Sequence, residues 1–247
     1  MSTQKTLSLL RRAEEIASDN SDLTRSWLYA VLFIGSIFFG VFLVYLFSRI
    51  PPFSSFPFIF FYVPLFLSSL FIVYRVVEQR NRHFKKSLEF YETVAEVFES
   101  LGVSSSVSRV LRSFLEDLRS VSRERNALRD ALLSLTFFYM VYLVHTIQND
   151  YYKHSSTEKK MLDIINFLLG GNAFSSVKDW FLIIGKSNLA IKILSIIPSL
   201  GLSVFYVVGT LSSFSNDHIK IQKKYDKALI EALKNLTSSS LRQFLVK

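Results

Sequence analysis

Four histidines, His83, His145, His154 and His218, carry most of this chain's capacity for metal or proton chemistry, because the chain has no cysteine. The missing thiol excludes disulfides, thiolate metal sites, cysteine nucleophiles and iron–sulfur clusters. No two histidines stand at metal-ligand spacing, and no HExxH motif or carboxylate-rich cluster accompanies them. The spacing therefore assigns no metal and no cofactor. His145 differs from the others because it falls inside an apolar run, where an ionisable group is a functional candidate by default. Its neighbours Thr146 and Gln148 favour a neutral, hydrogen-bonded structural role.

Other catalytic patterns are missing. Gly170-Gly171 has no following Lys-Ser or Lys-Thr, so it reads as a helix breaker and not as a phosphate loop. No serine sits in a G-x-S-x-G elbow. Glu92, Glu96, Glu99, Glu116 and Asp117 lie among lysines and arginines, as on solvated helix faces with i,i+4 pairs. The expectation is a protein that is not an enzyme.

The elements that would position any site are dominated by two apolar runs, 27–48 and 53–74, joined through Arg49-Ile50-Pro51-Pro52. Each holds about 22 residues without a charge, enough to cross a hydrocarbon core about 30 Å thick as a helix. Two further runs, 131–148 and 189–214, are read as a third and a fourth span. In the first span Ser36 and Gly40 form a small-xxx-small pair for close helix approach. Pro64 in the second span, and Pro198 with Gly201 in the fourth, mark kinks.

The net charge of +9 is concentrated where apolar runs end. Arg75, Arg80, Arg82, Lys85 and Lys86 follow the second run, and Lys220, Lys223, Lys224 and Lys227 follow the fourth. Basic residues so placed remain cytoplasmic and face anionic lipid headgroups. No aromatic residues are interleaved with them in the manner of a single-strand platform, so nucleic acid is not the expected partner.

These features predict an all-α polytopic membrane protein. Residues 1–26 form a cytoplasmic amino-terminal segment, with Leu7, Leu10, Ala13, Ile16 and Ala17 on one helical face. Residues 27–74 form a transmembrane hairpin, and 75–130 a cytoplasmic antiparallel helical hairpin. Its seams are Val77, Phe84, Leu88, Tyr91, Ala95 and Phe98, and Val107, Leu111, Phe114, Leu118, Val121, Leu128 and Leu132. Its second arm runs without a breaker into span three. Residues 149–188 are expected outside as interfacial amphipathic helices, because a span there would bury Asp163, Lys178 and Asp179. Residues 215–247 are a cytoplasmic basic helix with a stripe of Ile221, Tyr225, Ala228, Ala232 and Leu236.

Both termini are thus expected in the cytoplasm, at a prokaryotic cell membrane. The functional expectation is a membrane scaffold or assembly platform whose helical bundle binds a partner protein or a second copy; the alternative is an oligomeric channel or small-solute transporter. In layout the chain is similar to polytopic inner-membrane components of secretion, pilus or DNA-uptake machines, a likeness that no motif carries.

Overall fold

The computed structural model describes residues 2–23, 27–50, 57–177, 179, 181–183, 185 and 203–245. Among them are seven helices and no strand. In chain order they are α1 (Ser2–Ser18), α2 (Trp27–Phe47), α3 (Pro57–Ser100), α4 (Ser105–Val121), α5 (Ala127–Leu133), α6 (Phe137–Leu168) and α7 (Ser203–Leu245).

The two apolar runs become α2 and the first half of α3. Pro57 opens α3, where its missing N–H costs nothing. Pro64 lies inside α3, which continues through it as one 44-residue helix. The two helices pack side by side. Gly40 lets them touch: a Cβ there would stand 2.9 Å from Phe61 O and 2.9 Å from Phe61 Cδ2. Ser36 donates its hydroxyl to Leu32 O at 2.6 Å within its own helix. The outer faces of both helices are bare, with Phe38 72% and Tyr62 65% exposed. Among the described residues, α2 and α3 are the two helices long and apolar enough to cross a membrane.

Beyond residue 75 the same α3 helix enters a bundle with two apolar cores. The nearer core joins Tyr29 of α2 and Val73, Val77 and Phe84 of α3 to Leu143, Val144 and Tyr151 of α6. The farther core joins Leu10 and Ala13 of α1, Tyr91 and Val94 of α3, Leu111 and Leu118 of α4, Met161 and Ile165 of α6, and Leu229 and Leu233 of α7. Fully burying a ring such as Phe84 or Phe90 contributes about 2–3 kcal/mol.

The helix ends follow local chemistry. Gly102 takes φ 76°, and Val103 N–H reaches back to Phe98 O, the bond pattern that closes a helix through a left-handed residue. Gly170, at φ 85°, ends α6 in the same way, with Gly171 N–H bonded to Asn166 O.

Several expectations change. The arm after Ser104 does not run unbroken into residue 147: it stops at Val121, restarts at Ala127 and again at Phe137. Asn126 starts α5 by accepting from Arg129 N–H at 2.9 Å. Asn81 holds the break from α3, donating to Arg125 O at 2.7 Å and accepting from Arg125 N–H at 3.1 Å. Leu128 and Leu132, expected on the seam, are 63% and 51% exposed because the break rotates them out of it.

Residues 149–168 are not a separate interfacial layer. They continue α6 into the core shared by α1, α3 and α7, packed beside the second half of α3. The buried face of α7 is broader than the expected stripe: Ala228 is buried and Tyr225 packs on the core as expected, Gln222, Asp226, Leu229, Leu233 and Thr237 also face inward, and Leu236 is 40% exposed. Pro198 and Gly201, and most of the expected fourth span, lie outside the described residues.

Candidate functional site

Between the two apolar cores lies a buried polar layer. Three helices each present two polar side chains four residues apart, which stack on one face of a helix. These are His83 and Ser87 of α3, His154 and Glu158 of α6, and His218 and Gln222 of α7. All six are 3% exposed or less.

Glu158 is the hub. Its Oε1 accepts from the Ser87 hydroxyl and from Gln222 Nε2 at 2.9 Å, and its Oε2 lies 3.1 Å from His218 Nε2. His154 Nε2 stands 3.1 Å from Oε1 but without the alignment of a hydrogen bond. The His83 ring lies 5.3 Å from that of His154 and 5.4 Å from that of His218, edge to face. Phe84 stacks on His154 at 3.8 Å and closes the layer from one side.

Two imidazoles are oriented from behind. The linker after α1 turns at Asp19 and buries Asp22, whose Oδ2 is 3.2 Å from His83 Nδ1. Asp22 Oδ1 takes Lys223 Nζ at 3.0 Å, and Lys86 stands at 3.5 Å. These partners outweigh the cost of burial and hold the Asp22 carboxyl well below its ordinary range. An ionised carboxylate only accepts, so His83 carries its proton on Nδ1. His218 Nδ1 faces Leu182 O at 2.7 Å, and a carbonyl also only accepts. In both rings Nδ1–H points outward and Nε2 points into the cluster.

Burial is the largest influence on the remaining groups. It lowers His83 to about 4 against the pull of Asp22, and lowers His154 against the pull of Glu158. It would raise Glu158, but the facing His154 and His218 hold that carboxyl well below its ordinary range. With Nδ1–H turned outward in His83 and His218, both Nε2 lone pairs face the cluster. His83 Nε2 and both His154 nitrogens have no hydrogen-bond partner. His83, His154 and Glu158 each offer a donor atom, all within 4.8 Å of one another.

A cavity of about 20 Å³, room for one water, borders this layer between Asp22, Lys86, Ser87, Gln222, Lys223 and Asp226. Asp226 is buried there with Oδ1 unpartnered, and burial together with the charges of Glu158 and Asp22 raises its carboxyl well above the ordinary range.

The site residues expected from the sequence are scattered. His145 lies on α6, with Nε2 3.0 Å from Asn149 Nδ2. Arg80 is not on a lipid-facing surface: it is 2% exposed and reaches Asp150 at 3.0 Å and the carbonyls of Val121 and Arg123. Arg75 and Arg82 both pair with Glu78, and Lys85 and Lys227 are exposed. Lys86 and Lys223 converge on Asp22, Lys224 pairs with Asp179, and Lys220 with Asp217.

Histidine spacing along the chain does not reveal the cluster, because each helix contributes a single imidazole. The usable signal was His154-x-x-x-Glu158, an imidazole and a carboxylate one turn apart, together with the same polar four-residue step at 83/87 and 218/222. Comparison with protein-family models, with curated proteins and with solved structures finds no match to the chain.

Proposed function

We propose that this protein is a membrane-anchored helical platform, in which the hairpin of α2 and the first half of α3 sits in the bilayer and holds the bundle at its cytoplasmic surface to receive a partner protein or a second copy. One observation carries the reading: α3 is a single helix whose first half is apolar and bare and whose second half is the central element of a packed bundle. A soluble protein would expose Phe38, Tyr62 and Leu67 to water at considerable cost; lipid removes it. The 21 residues of α2 span about 32 Å at 1.5 Å per residue.

Two spans fit these contacts better than four. A crossing at 131–148 alone would put 149–168 on the far side from α1 and the second half of α3, with which it shares a core. Arg75, Arg82 and Lys85 against the lone Arg49 of the hairpin turn favour a cytoplasmic bundle.

Cysteine scanning tests the reading without background, since the chain has no native thiol. Ser48→Cys should react with an impermeant maleimide on intact cells, and Lys153→Cys and Ser105→Cys only after lysis. Outside labelling of Lys153→Cys would restore the four-span topology, and release of the protein by alkaline carbonate would remove the membrane reading. Crosslinking in cells through the exposed face of α4 should capture a partner or a second copy. Ion or solute flux in liposomes without any such capture would favour the channel alternative.

A further inference from the structure

The geometry points to a binding site for one divalent first-row transition metal ion, held by His83, His154, Glu158 and His218. The site is independent of how the hairpin meets the membrane.

With His218 Nδ1–H committed to Leu182 O at 2.7 Å, its Nε2 lies 3.1 Å from a carboxylate oxygen. Two lone pairs do not face one another at that distance unless a cation lies between or beside them. One extra proton on His218 would satisfy this contact alone. It would leave His83 Nε2 and both His154 nitrogens bare, in rings 2% and 0% exposed. An unmet polar atom so buried costs about 1–3 kcal/mol. A single metal ion accepts one lone pair from each of the three imidazoles and one from the carboxylate, and the second His154 nitrogen carries that ring's proton.

The distances fit. Donor atoms bonded to one ion at about 2.0–2.2 Å in a tetrahedral shell lie about 3.3–3.6 Å apart. The donor atoms of His83, His154 and Glu158 lie within 4.8 Å of one another, and His218 Nε2 is 3.1 Å from the Glu158 carboxylate, so side-chain shifts of about an ångström close the shell.

The surroundings have the form of a metal site's outer layer. Ligating imidazoles ordinarily donate their second N–H to a carboxylate or a backbone carbonyl, which fixes the tautomer. His83 uses Asp22 and His218 uses Leu182 O, one of each kind. Ser87 and Gln222 hold the Glu158 carboxylate in the same manner. The neighbouring cavity, which His83 also lines, has room for one water.

The donor set chooses the class of ion. Three imidazoles and one carboxylate suit zinc, ferrous iron, cobalt or manganese. Calcium and magnesium prefer all-oxygen shells, and a cuprous site would draw on thiolates that this chain lacks.

The test uses the full chain in mild detergent, stripped with a chelator and titrated with Co²⁺ as the spectroscopic probe, with Zn²⁺, Fe²⁺ and Mn²⁺ uptake measured by elemental analysis. The expected result is about one equivalent bound, a cobalt ligand-field band, and a higher melting temperature of the loaded protein. His154→Gln and Glu158→Gln should each lower affinity tenfold or more. Asp22→Asn, which leaves every ligand in place, should lower it about 10–100-fold. Far-ultraviolet circular dichroism identifies variants that fail to fold. Stripped wild-type protein that is helical and binds none of the four ions would overturn the assignment and leave a hydrated polar core. Uptake unchanged in a folded His83→Gln/His154→Gln variant would overturn it as well.

Discussion

Asp22 Oδ2 accepts from His83 Nδ1 at 3.2 Å, with both side chains about 3% exposed. This one contact fastens the linker between α1 and α2 onto the middle of α3, and Lys223 at 3.0 Å adds α7 to the same carboxylate. Three segments far apart in sequence thus share one buried negative charge.

Asp22→Ala removes that charge and leaves Lys223 and Lys86 facing each other across the gap. Loss of a buried partner in such a network costs about 3 kcal/mol. The expected outcome is an earlier urea unfolding midpoint and faster proteolytic cleavage at the linker, with α1 released before the rest of the bundle melts.

The α2–α3 contact is tested by two glycines of one helix. Gly40→Ala places a methyl 2.9 Å from Phe61 O, so the helices must part, at about 1–2 kcal/mol. At Gly35 a Cβ meets nothing within 4 Å, and Gly35→Ala should leave the protein unchanged or slightly more stable. Thermal unfolding in detergent compares the two, and equal effects would show that Gly40 is not the contact point.

Asp226 gives a pH signature. Burial raises its carboxyl, so the folded state prefers the protonated form. Its contribution is then fully present below the unfolded value near 3.9 and is lost as pH rises toward the folded value. Asp226→Asn should melt at a higher temperature than wild type at pH 7.5, with the difference vanishing near pH 4. A constant difference across that range would mean that Asp226 is ionised in the fold.

Arg80 is a further structural determinant. Its guanidinium serves Asp150 and two backbone carbonyls at the break after α4, and its Cζ lies 4.3 Å from the Phe84 ring centre. Arg80→Lys retains the charge but has no planar fork to reach three acceptors. It should cost about 2 kcal/mol in denaturant unfolding, and increase amide exchange over 121–126. An unaffected variant would mean that the break is held by Asn81 alone.

Much of the scaffold was legible before folding. Long uncharged runs dictate apolar helices, because only a helix satisfies every backbone group without water, and 4,3 spacing in 77–98 dictates the buried face of α3. Those signals come from consecutive residues. The breaks at 122–126 and 134–136 were hidden, since the side chains that hold the first, Asn81 and Arg80, come from another helix. The inward face of α7 was hidden because Gln222 and Asp226 look like solvent-facing residues until Glu158 and Tyr91 are packed against them. The histidines are the clearest division. Their identities and their positions on helices belong to the sequence alone. Their convergence required α3, α6 and α7 to pack at one level, and that level is decided by the apolar layers above and below, where van der Waals fit between distant side chains sets the register.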